Sequence, residues 1–182
     1  MSMDFPSNSE QISDPSAALA GLLGQLAWGV RRGYGSFLTI EFGEPRLFVR
    51  EPIQSVSSDS LDIRQRLSRR HVSVHGIWHL WITHGSWTLV TVNYATSSEE
   101  SEAAKVEPAL TQLDGQRLVS AKFNRSSAEI HLSFDLGAHL RIGPGQQVDR
   151  DEDQWQLFAP DGSIVNCDQI GRIALVSGKQ PR

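Results

Sequence analysis

The 182-residue chain has one cysteine, two methionines and two tyrosines. A lone cysteine excludes an intramolecular disulfide and fits a reducing compartment. No apolar run approaches the ~20 residues that a bilayer-crossing helix needs. A basic excess is also missing. Seventeen Lys and Arg stand against 21 Asp and Glu, for a net charge of −4, whereas nucleic-acid-binding surfaces are ordinarily basic. The opening MSMDFPSNSEQISDPS has no basic segment followed by an apolar one, so it does not read as a secretory signal. These absences lead us to expect a cytoplasmic protein with neither a membrane nor a nucleic-acid partner.

Catalytic motifs are equally scarce. There is no G-x-S-x-G elbow and no G-x-x-x-x-G-K phosphate loop. Cys167 lies among Val165, Asn166 and Asp168, with no histidine nearby in sequence to activate it. Asp149-x-Asp151-x-Asp153 begins like a calcium loop, but Gln154 holds the glycine position and Pro160 the final glutamate position. The arginines at 64, 66, 69 and 70 have no interleaved aromatics and read as a solvated face. We therefore expect no catalytic residue and no cofactor.

What the chain does have is concentrated between His71 and Val92, HVSVHGIWHLWITHGSWTLVTV, which holds three of the five tryptophans and four of the six histidines. Parity places Trp78, Leu80 and Ile82 on one face of a strand and His79, Trp81 and Thr83 on the other. His84-Gly85-Ser86 reads as the turn of a hairpin into 87–92. His71, His75 and His79 share a parity, which raises a metal reading. Residues four apart on a straight strand are ~13 Å apart, too far to share an ion at ~2 Å per ligand. Only a bulge at Gly76 or a ligand from another strand changes that geometry, and the expectation is no metal.

The remaining patterning is also mostly β. Ser13-Asp14-Pro15 signals a helix start, and the stripe Leu19, Leu22, Leu23, Leu26, Val30 predicts a helix running to the glycines at 33 and 35. Ser36 to Phe42 alternates as a strand. Gly43-Glu44-Pro45 reads as a turn into a second strand, 46–50. Residues 51–70 form a polar excursion with one helical turn. An acidic segment from 96 to 107 opens a helix broken at Pro108 and ending near Leu113. Further strands are expected at 117–123, 129–136, 138–142, 154–159 and 163–173, the last with a break.

Two stretches of the chain resemble each other. SFLTIEFG (36–43) aligns with IHLSFDLG (130–137), matching Glu41 to Asp135 and Gly43 to Gly137. WHLWITHGS (78–86) aligns with WQLFAPDGS (155–163), matching Trp78 to Trp155 and Trp81 to Phe158. An L-x-Q-L segment precedes each, at 23–26 and 110–113. The expected fold is thus mainly β (α+β): antiparallel sheets of eight to ten strands from two duplicated β-meander units, with an N-terminal helix and an inter-repeat helix. The units are 15–96 and 97–182 around one core, after a flexible lead-in of 1–14. Trp78 and Trp155 are the expected core tryptophans.

The runs GSFLTIEFG, VHGIWHLWI and LDGQ, with SFDLG and the later W-x-L-x-x-x-DGS, resemble an uncharacterised bacterial family, a domain of unknown function. The resemblance covers most of residues 30–165 and rests on structural motifs. By analogy with similar small acidic bacterial proteins, it implies a non-catalytic protein-binding module of the immunity type. The outward face of the paired strands, with Glu41, His79 and Trp81 from one unit and Asp135, Gln156 and Phe158 from the other, is the candidate surface for a basic protein partner. The alternatives are a small-ligand carrier with an enclosed apolar pocket and an unrecognised enzyme.

Overall fold

The computed structural model describes residues 9–12, 14–53, 61–146 and 149–177. Its elements in chain order are β1 (Ser9–Ile12), α1 (Ser16–Ala20), β2 (Ala27–Arg32), β3 (Leu38–Arg50), α2 (Leu61–Leu67), β4 (His71–Ile82), β5 (Ser86–Val90) and β6 (Ala95–Ser97). There follow α3 (Ala103–Leu113), β7 (Leu118–Asn124), β8 (Glu129–Phe134), β9 (His139–Gly143), β10 (Asp153–Phe158), β11 (Ser163–Asp168) and β12 (Ile173–Ser177). All pairings are antiparallel. One sheet has the order β1-β12-β11-β10-β4-β3-β2 and the other β6-β5-β9-β8-β7. The protein is mainly β, as its alternating apolar pattern predicts. Among the described residues no helix is long and apolar enough to cross a membrane.

The inward residues of both sheets join one apolar cluster. Leu38, Ile40, Phe42, Leu80, Ile82 and Leu157 come from the first sheet; Trp87, Leu89, Ile130, Leu132, Leu140 and Ile142 come from the second. At ~25 cal/mol per Å² of apolar surface removed from water, this shared core is the main source of stability. Helix α3 adds Val106, Ala109, Leu110 and Leu113. It runs continuously through Pro108 rather than breaking there, because its buried face on both sides of the proline belongs to the same core.

Several boundaries differ from expectation. The N-terminal helix stops at Ala20, and Ala27–Arg32 is the strand β2. Gly24 takes φ +79, a left-handed turn that ends helical geometry and suits glycine, and the indole N–H of Trp28 donates to the Gly43 carbonyl at 2.8 Å. Residues 43–45 make no turn. Chain 38–50 is one strand, and Gly43 (φ +77) with Glu44 forms a bulge opposite Ile77. β4 and β5 are not a hairpin. They lie in different sheets, and residues 83–85 carry the chain across. Gly85 passes so close to the backbone that an added Cβ would lie 2.9 Å from the Gln154 carbonyl oxygen, and Gln154 O accepts from the N–H groups of Thr83 and Gly85, both at 3.1 Å. The described residues form twelve strands, the first of them within the expected lead-in.

The same ladder occurs twice. In the first sheet Leu38, Thr39, Ile40 and Glu41 stand opposite Ile82, Trp81, Leu80 and His79. In the second, Ile130, His131, Leu132 and Ser133 stand opposite Ile142, Arg141, Leu140 and His139. Trp155-Gln156-Leu157-Phe158 then pairs with Ile82-Trp81-Leu80-His79, as Trp87-Thr88-Leu89-Val90 pairs with Ile142-Arg141-Leu140-His139. The crossing point is reciprocal. Gly24 N–H donates to Leu118 O at 2.8 Å and Gly115 N–H to Ala27 O at 2.7 Å. Ala27 N–H donates to Gln116 O at 2.8 Å and Leu118 N–H to Gln25 O at 3.0 Å. By position in the ladders Trp155 corresponds to Trp87, and Phe134 to Phe42. The matches of Trp78 with Trp155 and of Gly43 with Gly137 are not those the ladders make. Trp87 and Trp155 are fully buried, at 1% and 0% exposure. Trp78 is half-buried at the edge of the core, its ring against Gly21.

Candidate functional site

The outer face of β3, β4 and β10 collects five of the six residues singled out in the sequence. Register places Glu41 beside His79, His79 beside Phe158, and Trp81 beside Gln156. The Trp81 and Phe158 rings are 4.9 Å apart between centroids, and Phe37 meets Trp81 edge-on at 6.0 Å. His79 lies 5.9 Å from Phe158. The four rings are half-buried. The ring neighbours of Trp81 on this face are Phe37, His79 and Phe158. Gln156 is turned along its strand, donating to Asp153 Oδ2 at 2.9 Å. Desolvation in this half-buried position holds the Asp153 carboxyl above its usual range, partly offset by that hydrogen bond.

Asp135 is not part of this face. It lies exposed in the turn after β8, in the other sheet, where its Oδ1 accepts from the Arg117 N–H at 2.8 Å. The ladders explain the misplacement, because the position equivalent to Glu41 is Ser133.

His75 is the residue that straight-strand spacing set aside. Its ring stacks on His79 with centroids 5.3 Å apart, where a straight strand separates the two Cα atoms by ~13 Å. The bulge at Gly43-Glu44 makes the difference. Glu41 is 8% exposed. Its Oε2 accepts from the Gly76 N–H at 2.8 Å, and its Oε1 lies 3.0 Å from His75 Nδ1 and 3.4 Å from His79 Nε2. A Cβ on Gly76 would lie 2.5 Å from the Phe42 carbonyl oxygen, so only glycine permits this approach. The signal available in sequence was Gly43 followed by Glu-Pro in an otherwise alternating strand.

The surroundings of the two imidazoles differ. His75 Nε2 contacts Ser73 Oγ at 2.9 Å, and Phe48 packs edge-on at 5.6 Å. His79 accepts from the Trp81 indole N–H, which lies 2.6 Å from Nε2. Burial pushes the His79 pKa down to about 4, with His75 beside it adding to the effect. It is therefore neutral at pH 7, and a neutral imidazole offers a lone pair. One ligand atom each from Glu41, His75 and His79 lies within 4.8 Å of the others.

The other candidates stay structural. Cys167 is fully buried, takes a hydrogen bond from Gln154 Nε2 at 3.3 Å, and has its pKa pushed up to about 12 by desolvation. Asp151 and Asp168 both pair with Arg172, leaving the calcium-like run as a salt-bridged loop. Arg70 pairs with Glu51 at 2.8 Å on the surface. A cleft of about 580 Å³ on β7 and β8 is lined by Ser120, Lys122, His131 and Ser133 among others, a polar groove rather than an enclosed apolar pocket. No family model, curated protein or solved structure matches the chain.

Proposed function

We propose that this is a non-catalytic binding protein whose docking surface is the aromatic–acidic face of β3, β4 and β10. The observation that carries the reading is the Trp81–Phe158 contact at 4.9 Å, extended by Phe37 and His79 on the same half-buried sheet face. Rigid aromatic clusters bordered by polar groups are the residues that hold protein partners. A net charge of −4 and the acidic segment of Glu99, Glu100, Glu102 and Glu107 favour a basic partner, since opposite charge steers encounter. An immunity-type role in a bacterial cytoplasm fits this chemistry.

We also infer that the chain arose by duplication of a unit of one helix and about five strands. In support, equivalent inward positions of the two ladders carry like residues: Leu38 and Ile130, Ile40 and Leu132, Phe42 and Phe134, Leu80 and Leu140, Trp87 and Trp155. Apart from His79 and His139, the outward positions compared do not. Glu41, Trp81 and Phe158 face Ser133, Arg141 and Val90 as equivalents. Shared cores with unlike outer faces are what a duplicated scaffold gives when one face takes on a binding task.

The test is affinity capture from extract of the source cells with wild type, Trp81→Ala and a variant neutralising the four glutamates. The reading expects a basic protein on the wild type, faster dissociation for Trp81→Ala, and slower association with a flatter salt dependence for the neutralised variant. Identical recovery of the same proteins by wild type and Trp81→Ala would remove this face from the account.

A further inference from the structure

We propose that Glu41, His75 and His79 form a binding site for one divalent transition-metal cation of the Zn2+ class, independent of any protein partner. The donor set is two imidazoles and one carboxylate, which suits Zn2+ and its first-row neighbours rather than Ca2+ or Mg2+. The spacing fits as well. Two ligands ~2.1 Å from a tetrahedral centre lie ~3.4 Å apart; Glu41 Oε1 is 3.0 Å from His75 Nδ1 and 3.4 Å from His79 Nε2. Residues on one half-buried sheet face converge on one carboxylate oxygen, and the other oxygen is fixed by Gly76 N–H.

The outer partners are in place too. With Nδ1 on the metal, the His75 proton sits on Nε2 and donates to Ser73 Oγ, 2.9 Å away, the kind of contact that fixes a ligand's tautomer. Glu41 is held from behind by the backbone. A bulge held by Glu41 and Gly76 alone would need neither histidine. Both rings nonetheless meet the same oxygen, and the side chain of His75 is 35% exposed, which leaves an approach from solvent for the ion and for a fourth ligand.

One group competes with the ion. The Trp81 indole N–H occupies the His79 lone pair at 2.6 Å. Binding therefore exchanges that hydrogen bond for a metal bond and moves the indole, which gives an optical signal.

The experiment is a calorimetric and tryptophan-fluorescence titration of the tag-free full chain with Zn2+ at pH 7. We expect one ion per chain, a fluorescence change reversed by chelator, and affinity weakened at least ~10-fold in both Glu41→Gln and His75→Gln. His75 is half exposed, so His75→Gln keeps the test valid if Glu41→Gln fails to fold. Absence of binding at 1 mM Zn2+ (roughly the limit of weak specific association) would overturn the proposal. So would unchanged affinity in His75→Gln, which would place the ion on other surface histidines.

Discussion

Glu41 is a buried carboxylate whose two oxygens have different partners, one held by a backbone N–H and one shared with two imidazoles. A charge taken out of water needs such partners. Glu41→Leu leaves the Gly76 N–H and His75 Nδ1 without their partner, and we expect it to cost ~1–3 kcal/mol in urea unfolding. Trp81 separates two roles at one position. Trp81→Phe keeps an aromatic ring, though a smaller one, and removes the indole donor, so Zn2+ affinity should hold or rise while partner binding survives; Trp81→Ala should lose the partner. Titration of both variants checks this. Cys167, with its proton retained up to about pH 12, should resist iodoacetamide at pH 8 in the native protein and react fully in denaturant. Rapid native labelling would show that the β10–β11 pair opens readily. At this scale parity in the sequence placed Glu41, His79, Trp81, Gln156 and Phe158 together correctly. It misplaced Asp135, because two acidic residues each preceding a glycine by two look alike whether the glycine makes a bulge or a turn. His75 shares the parity of His79, but four residues of straight strand, ~13 Å, set it apart.

The decisive element is the β3–β4 pair. Its long register, from Leu38–Ile82 to Arg50–His71, is interrupted once, between Phe42 and Pro45. That interruption re-aims the strand, as bulges commonly do beside functional groups. Gly76→Ala puts a methyl against the Phe42 backbone and should destabilise by ~1–3 kcal/mol. It should also weaken Zn2+ binding even though it removes no ligand. A thermal melt and a titration of this one variant check both, and an unperturbed variant would show that the bulge does not position the histidines. The strand and its Gly-Glu-Pro were visible in the sequence, but alternation either side of a glycine fits a turn and a bulge equally. Hydrogen-bond register across strands decides between them, and a single chain's periodicity carries no such information. The short α1 has the same origin: an apolar stripe at 19, 22, 23, 26 and 30 fits a helix until Gly24 takes a positive φ and the partners of Ala27 become backbone groups of another strand.

Across the whole molecule the two ladders predict equal standing for two tryptophans. Trp87→Ala and Trp155→Ala should each cost ~3–5 kcal/mol, the lost transfer energy plus a cavity, and Trp78→Ala less. Chemical denaturation orders the three. The mainly β class was legible in the sequence; the position of each tryptophan in the ladders was not, because Trp-x-Leu recurs at 78, 87 and 155 and only pairing with Ile82 or Ile142 distinguishes them. The two halves also differ where it matters. Glu41 and His79 in one ladder face Ser133 and His139 in the other, and the second pair, joined by a 3.1 Å hydrogen bond, has no carboxylate. Anomalous diffraction from Zn2+-soaked crystals, collected at the zinc edge, therefore tests the claim that Glu41, His75 and His79 form a metal site that the other half lacks. We predict a single peak within ~2.1 Å of Glu41 Oε1, His75 Nδ1 and His79 Nε2 and none at Ser133 and His139. No peak between those three side chains, or equal peaks in both halves, would contradict it.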